Sequence, residues 1–425
     1  MNSAGSTGRF LSPAVAPALF VFAAVALASC GSSSSPSSNG GDAAADQAIE
    51  MGDDDASPGD IADIADVADE TAVADAGADG AADAAADLPI DLPKEVPPPP
   101  QPYPQPVYQH LSETGLYADF ATKTLADDLT AFEPTYKLWS DGATKRRWIK
   151  LPPGTQIDTS DMDHWVFPVG TKFFKEFSLG GVLLETRLVE RYGTGPDDYW
   201  FGAFVWTADQ ADAVFAVGGQ DNINGTMHDA PSQKNCGVCH RGDIGRVLGF
   251  SALQLSREDG PPTLKSLATD GVLSNPPPGG ADYPLAGDAV TVAALGYLHA
   301  NCGHCHNVNG TSWPDTQMVL RLNVGERDLS QSGLYASIVG QKLEYFRGGA
   351  VTLRVAPGDP DGSAVIVRMS SRTVKIQMPP LATEIVDPDG VAAVRAWIAA
   401  LPAPPATDAG ADAVSDAGAA DAAGQ

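Results

Sequence analysis

Positive charge is scarce in this chain. Its 26 lysines and arginines stand against 54 aspartates and glutamates over 425 residues, a formal net charge of −28. No basic field exists to neutralise phosphates, which excludes a nucleic-acid partner. The excess acid belongs mainly to two stretches outside the body of the chain. Residues 42–95 hold 17 acidic groups and one lysine, and residues 402–425 add four aspartates. Long apolar runs are also missing. The run from about Pro13 to Ala28, behind the single charge of Arg9, is too short for a bilayer span and ends in small residues, so it reads as a signal peptide. Cysteine is rarer still, with five in the whole chain.

Four of those five fall in one phrase that occurs twice, Asn235-Cys236-Gly237-Val238-Cys239-His240 and Asn301-Cys302-Gly303-His304-Cys305-His306. Cys-x-x-Cys-His is the attachment sequence of c-type haem. Two thiols three positions apart can each add to a porphyrin vinyl group, and the histidine that follows points its imidazole at the iron. A redox dithiol, a local disulfide or one zinc bound by four cysteines and two histidines are the competing readings. A redox pair does not need the trailing histidine, which both copies have. The expectation is two covalently bound haem c groups, at Cys236, Cys239 and His240 and at Cys302, Cys305 and His306.

The fifth cysteine closes Leu27-Ala28-Ser29-Cys30, which resembles the lipobox of bacterial lipoproteins. That resemblance implies cleavage before Cys30 and acylation of its thiol and amine, where two acyl chains anchor stably. The alternative is an ordinary signal peptide with a chance cysteine. With Cys30 taking lipid and the other four taking haem, none is left for a disulfide, which suits an exported chain. By the same resemblance, Gly31 and Ser32 are not an inner-membrane retention signal, favouring the periplasmic face or the outer membrane.

The organisation expected is a signal peptide (1–29), an Ala/Asp/Pro-rich disordered tether (30–107), a β-rich domain (108–230), a first haem segment (231–285), a cytochrome-like domain (286–401) and a second disordered tail (402–425). The tether buries too little apolar surface to offset its ordering entropy and would span roughly 50 Å as a coil. Leu111 to Leu129 suggests a short helix. Lys172 to Leu179 alternates, with Phe173, Lys175 and Phe177 on one side and Phe174, Glu176 and Ser178 on the other. Gly180-Gly181 suits a hairpin into Val182, Leu184, Thr186 and Leu188 on one face and Glu185, Arg187 and Arg191 on the other. Tyr199 to Trp206 and Ala213 to Val217 read as further strands, together a sandwich or barrel. The fold class is α+β, a β-rich domain followed by a mainly helical haem region.

Trp139, Trp148, Trp165, Trp200 and Trp206 could be carbohydrate platforms but suit sheet packing better. Lys145-Arg146-Arg147 could meet haem propionates or a redox partner, with an exposed strand end as the plainer account. Residues 231–285 show little periodicity, so haem would form much of their core. In 286–401, Ala289 to His299 reads as a helix into Cys302, and Asp389-Gly390 begins one carrying Val391, Val394, Trp397, Ile398 and Leu401 on one face. Between them lies Gln377-Met378-Pro379-Pro380. A methionine on a proline-bounded loop well after the haem motif is a sixth iron ligand in small cytochromes, and Met378 is expected in that role, with simple packing on the porphyrin as its alternative.

Asn301 to Asn307, Ala356-Pro357-Gly358-Asp359-Pro360, Arg368-Met369, Met378-Pro379-Pro380-Leu381 and the closing helix resemble the class I cytochrome c fold. With Leu138-Trp139-Ser140-Asp141-Gly142-Ala143, Phe167-Pro168-Val169-Gly170-Thr171-Lys172, Pro231-Ser232-Gln233 and Leu248-Gly249-Phe250, the chain resembles a family of largely uncharacterised bacterial di-haem c-type cytochromes across Leu111 to Leu401. The resemblance implies exported electron transfer and no known substrate. The first haem has no assignable sixth ligand; Met227, His228, His164, His299, Met318 and Met369 are candidates, while His304 is expected at the surface.

A lipid-anchored di-haem carrier between redox partner proteins is the leading expectation, needing only proximity of haem edges. Two alternatives stand beside it. One is a peroxidase-like enzyme with an open first haem, for which Glu185, Glu190 and His164 are candidate acids or bases. The other is a β-domain binding module. For the anchor, Cys30→Ala should move the haem protein from the membrane to the soluble fraction on ultracentrifugation; continued membrane retention would defeat the lipoprotein reading.

Overall fold

The computed structural model describes residues 105–260, 262–344 and 350–403, all within one compact unit. The expected signal peptide, Cys30, nearly all of the tether and the 404–425 part of the tail lie outside the described residues. Among the described residues, no helix is long and apolar enough to cross a membrane.

The α+β layout is observed, with an antiparallel sheet first and helices after it. The strands are β1 (Tyr117–Asp119), β2 (Thr124–Leu125), β3 (Thr130–Ala131), β4 (Thr144–Lys150), β5 (Lys172–Leu179), β6 (Val182–Arg191), β7 (Tyr199–Trp206) and β8 (Ala213–Phe215). β3 to β8 form one six-stranded sheet in sequence order, and β1 and β2 form a separate hairpin. This is an open meander, in place of the expected sandwich or barrel. Its outer strands, β3 and β8, have only two and three residues, too little edge to close on each other or extend a second sheet. Gly180 and Gly181 join β5 to β6 at φ 58° and 84°, positive values at both central residues that a two-residue hairpin turn demands.

Both faces of the sheet are covered, by different parts of the chain. On one, Trp148, Phe174, Leu188, Trp200, Phe204 and Trp206 pack with Leu111, Leu116 and Tyr117. On the other, Ile149, Phe173, Val189 and Tyr199 pack with Val247, Phe250, Leu255, Leu264, Leu267 and Leu273. Residues 231–285 therefore build protein core against the sheet, where haem was expected to supply it. Trp148, Trp165, Trp200 and Trp206 are all buried, which removes them as carbohydrate platforms.

Two local expectations change. Leu111–Leu129 holds a single 3-10 turn, Leu111–Glu113, and then strands, because Gly115 (φ 80°) and Lys123 (φ 56°) sit in the left-handed region that ends a helix. In β6, a register irregularity at Phe177/Ser178 turns Leu184 away from Leu188. Leu184 packs with Ala203, Ile223 and Ala230, as a bulge re-aims a side chain.

The helices are α1 (Gln233–His240), α2 (Ala252–Leu255), α3 (Leu264–Thr269), α4 (Ala289–Asn301), α5 (Trp313–Thr316), α6 (Gly333–Ile338), α7 (Ala364–Met369) and α8 (Pro388–Ala400). The Asp288 carboxylate accepts from Thr291 N–H at the start of α4, and Asp387 accepts from the backbone of Asp389 and Gly390 at α8, the acceptors that helix N-termini need. α4 and α8 pack together, burying Leu295, Leu298, Val394, Trp397 and Ile398 with Leu320, Leu334 and Met369.

Three polar side chains tie this region to the sheet. Asn301 accepts from Trp139 N–H at 2.7 Å and donates to the Lys137 carbonyl at 3.1 Å. Gln254 accepts from Tyr136 N–H at 2.9 Å. Arg321 pairs with Asp243 at 2.7 Å and donates to the Asp163 carbonyl at 2.7 Å. Phe250 stands at the centre of the covered face, its ring centroid 4.8 Å from Phe132 and 5.5 Å from Phe173. Phe250→Ala should cost about 3–5 kcal/mol in urea unfolding of the full chain; a change under about 1 kcal/mol would show that this cluster does not hold the sheet and the segment after it together.

Candidate functional site: two Cys-x-x-Cys-His turns in contact

The second motif follows directly from α4. Cys302 N–H and His306 N–H continue the helical bonding to Leu298 and Cys302 carbonyls, both at 2.9 Å. Cys302, Cys305 and His306 then face a largely apolar cavity of about 160 Å³, some ten times what one water needs. Met378 lines the same cavity, so the four residues that the sequence singled out for this site are brought together. Met378 reaches it from a loop fixed to α7 by a 3.0 Å bond from its own N–H to the Arg368 carbonyl. Met318 and Met369 also line the cavity. The first sits beside Thr316, whose hydroxyl accepts from Met318 N–H, and the second is packed in the core.

The tautomer of His306 follows from its neighbours. Ser312 Oγ lies 3.0 Å and Thr316 Oγ1 3.4 Å from His306 Nδ1. Each hydroxyl already donates its proton elsewhere, Ser312 to the Cys305 carbonyl at 2.6 Å and Thr316 to the Ser312 carbonyl at 2.9 Å. Both can only accept at Nδ1, so Nδ1 carries the hydrogen and Nε2 keeps its lone pair. Burial pushes this imidazole down to about 4, so it is neutral at physiological pH.

The first motif repeats the arrangement with different parts. α1 begins at Ser232, which accepts from Asn235 N–H, and packs on β7. Gln233 donates to the Phe201 carbonyl at 2.8 Å, and the His240 ring lies 5.0 Å from the Phe201 ring. His240 Nδ1 is 2.7 Å from the Arg246 carbonyl, a group that can only accept, so here too Nε2 is the free base. Burial again lowers this histidine to about 4. Among the four motif thiols, all free, burial raises Cys236 to about 11 and Cys302 to about 12.

The two turns are in contact. Gly242, just after the first motif, lies so close to the second that an added Cβ would meet the His304 carbonyl oxygen at 1.9 Å. Thr311 donates to the Val238 carbonyl at 3.2 Å. The ligand atoms of Cys239, His304 and Cys305 all lie within 4.8 Å of one another, and the Cys305 thiol, hydrogen-bonded to the Cys239 sulfur, holds the Cys239 thiol well below the usual range while its own is pushed up. His304 is therefore not at the surface. It is 8% exposed, because the middle of the second turn faces the first. Cys236 and Cys302 stand outside this group, so the four cysteines do not converge on a single zinc.

The sheet face beside α1 carries an unusual set of charges. The register aligns Arg147, Lys175, Arg187 and Ala203 straight across β4 to β7, with Lys145, Phe177 and Glu185 beside them. Phe177 is fully buried, and Lys145, Lys175 and Arg187 lie 5.9, 5.3 and 4.5 Å from its ring centre. Glu185, itself fully buried, accepts from Arg187 Nε at 2.9 Å and lies 2.9 Å from His228 Nε2. Burial and the neighbouring Arg147, Lys145 and Arg187 hold the Lys175 amine well below the lysine range; burial and nearby cations likewise bring Lys145 down to about 7. Arg147 is 5% exposed and Lys145 half-buried, so of the 145–147 stretch only Arg146 is exposed as a strand end would be. Arg146 alone points to the opposite face, onto Glu176.

The other residues considered for the first iron are placed elsewhere. Met227 is exposed, His164 bonds Asp161 at 2.9 Å, and His299 Nδ1 accepts from Leu322 N–H at 3.0 Å. Glu190 lies on the other face with Tyr108, at 2.8 Å, away from both motifs. Sequence reasoning missed Arg246, Ser312 and Thr316 as tautomer anchors, Gly242 as the point of contact, and the cationic face. Only the last had a signal, Lys175 alternating with Phe173 and Phe177.

No family model, curated protein or solved structure matches this chain.

The Gly242 contact is testable. Gly242→Ala must push the two turns apart and should cost at least about 1–3 kcal/mol in chemical denaturation; an unchanged midpoint would show that the turns are not packed backbone to backbone.

Proposed function

We propose that the chain is an exported, lipid-anchored di-haem c-type cytochrome that relays electrons between redox partner proteins. One observation carries the reading: Cys302, Cys305, His306 and Met378, chosen from sequence for their chemistry, line a single apolar cavity. A covalently attached haem at each motif would supply a one-electron iron couple. His240 and His306 suit the proximal role because hydrogen bonds at Nδ1 leave each Nε2 free, the orientation that outer partners impose on metal-binding histidines. Met378 would be the second ligand at the second motif, coming from a loop of its own, while Met318 is held on the His306 side by Thr316. α4 leading into that motif and packing on α8 supports a class I cytochrome c-like arrangement for 286–401.

The contact of Cys239 with Cys305 supports relay within the chain, since whatever is bonded to these two sulfurs is brought together there. A β-domain that binds carbohydrate keeps only Trp139 of the five tryptophans considered, the other four being buried. Of the acids and bases considered for the peroxidase-like alternative, Glu185 is tied to Arg187 and His228.

The reading is tested on protein matured in an exporting host. A pyridine haemochrome assay should give two haems per chain, and Met378→Ala should abolish the methionine–iron charge-transfer band of the oxidised protein while both haems stay attached. Absence of covalent haem would overturn the reading. A surviving band would show that Met378 is not the ligand.

A further inference from the structure

Among the described residues no methionine loop faces the His240 side of the first motif, which packs instead on the sheet. Phe201, under the His240 ring, is paired with Val189 on β6, and one step along the same face the row runs Ala203, Arg187, Lys175, Arg147. Arg187 lies close enough to Cys236 and Cys239 for their charges to interact, and Lys175 is within electrostatic range of His240 itself. Two strand spacings, about 10 Å, separate Ala203 from Lys175, a gap that the long lysine stem partly spans.

We infer that Lys175 supplies the second axial ligand to the iron of the haem attached at Cys236 and Cys239, opposite His240. The inference rests on the haem reading of that motif. It follows from elimination among the groups on this face. Arg147 and Arg187 keep their protons and offer no lone pair. Glu185 is taken by Arg187 and His228, and His228 by Glu185. Lys145 donates to the Leu138 carbonyl. Lys175 makes no hydrogen bond or ion pair among the described residues; its amine lies against the Phe177 ring. An amine held on a rigid central strand, among cations that the single carboxylate of Glu185 offsets only in part, is costly to keep unpaired. A metal bond gives its lone pair a use. Arg147 and Lys145, on the strand beyond, would then face the anionic side chains of the porphyrin.

The test is made on the two-haem protein and two variants, Lys175→Ala and Lys175→Arg, with haem counted by pyridine haemochrome and coordination read by low-temperature EPR and carbon monoxide binding to the reduced form. Wild type should bind no carbon monoxide. Both variants should keep two haems, convert one from low-spin to high-spin, and bind one carbon monoxide per chain. The arginine variant keeps charge and bulk but cannot ligate, so an effect there identifies the lost bond. If haem content stays at two and both variants keep the wild-type EPR signals, Lys175 is not the ligand and the haem reading stands. Lys175 is equally excluded if His228→Gln, and neither lysine variant, opens the iron. If wild type carries no haem at the first motif, the haem reading fails with it. Should Lys175→Ala fail to assemble, the arginine variant decides alone.

Discussion

The contact between the two Cys-x-x-Cys-His turns is the constraint on which the rest depends. It is made by backbone: Gly242 sits against the His304 carbonyl where no Cβ fits, and Thr311 donates to the Val238 carbonyl. Backbone contacts of this kind cannot be relaxed by a rotamer change, so the two turns hold a single relative position. Arg321 then ties the turn after the first motif, through Asp243, to the Asp163 loop of the sheet region. Sheet, first turn and second turn thus form one body, and the thiols of Cys239 and Cys305 meet as a consequence.

The sheet gains a purpose from the same arrangement. A meander with two covered faces is a sound scaffold, but a scaffold alone does not call for Lys145, Arg147, Lys175 and Arg187 around one buried carboxylate, Glu185. Buried charge is costly even where it is paired, as Arg187 is with Glu185, and replacing these residues with apolar ones of similar volume would favour folding. On the proposed reading, cations retained at such a place, beside the Cys236–His240 helix, would serve what the site holds. The β-rich region is then one wall of the first site, which is why residues 231–285 pack on it instead of building a core of their own.

The candidate site residues were legible because each motif is local. Spacing alone brings two thiols and an imidazole onto one turn, and a proline-bounded loop singled out Met378, which lines the same cavity. Strand alternation likewise assigned Lys175 and Glu176 to opposite faces correctly. Other features could not be read because they depend on partners distant in sequence. Periodicity says which side Lys175 is on and nothing of what covers that side. The bulge that turns Leu184 depends on the neighbouring strand, and His304 is buried only because the first motif lies over it. The helix suggested for Leu111–Leu129 gave way to a positive φ at Gly115 and Lys123, which apolar spacing does not reveal.

On the proposed ligation the two irons differ in what sets their potentials. At the second motif a soft thioether in an apolar cavity favours the reduced ion. At the first, a hard amine nitrogen would favour the oxidised ion, and the cations of the sheet face, which Glu185 offsets only in part, would oppose it by penalising added positive charge. Ligand softness governs one site and local charge the other. The opposing terms at the first site come from different strands, so on this ligation a change at Glu185, which offsets part of that charge without being a ligand, would shift the first potential more than the second. Two centres whose attachment points touch can in this way keep separate potentials, the condition for electrons to move in one direction between them.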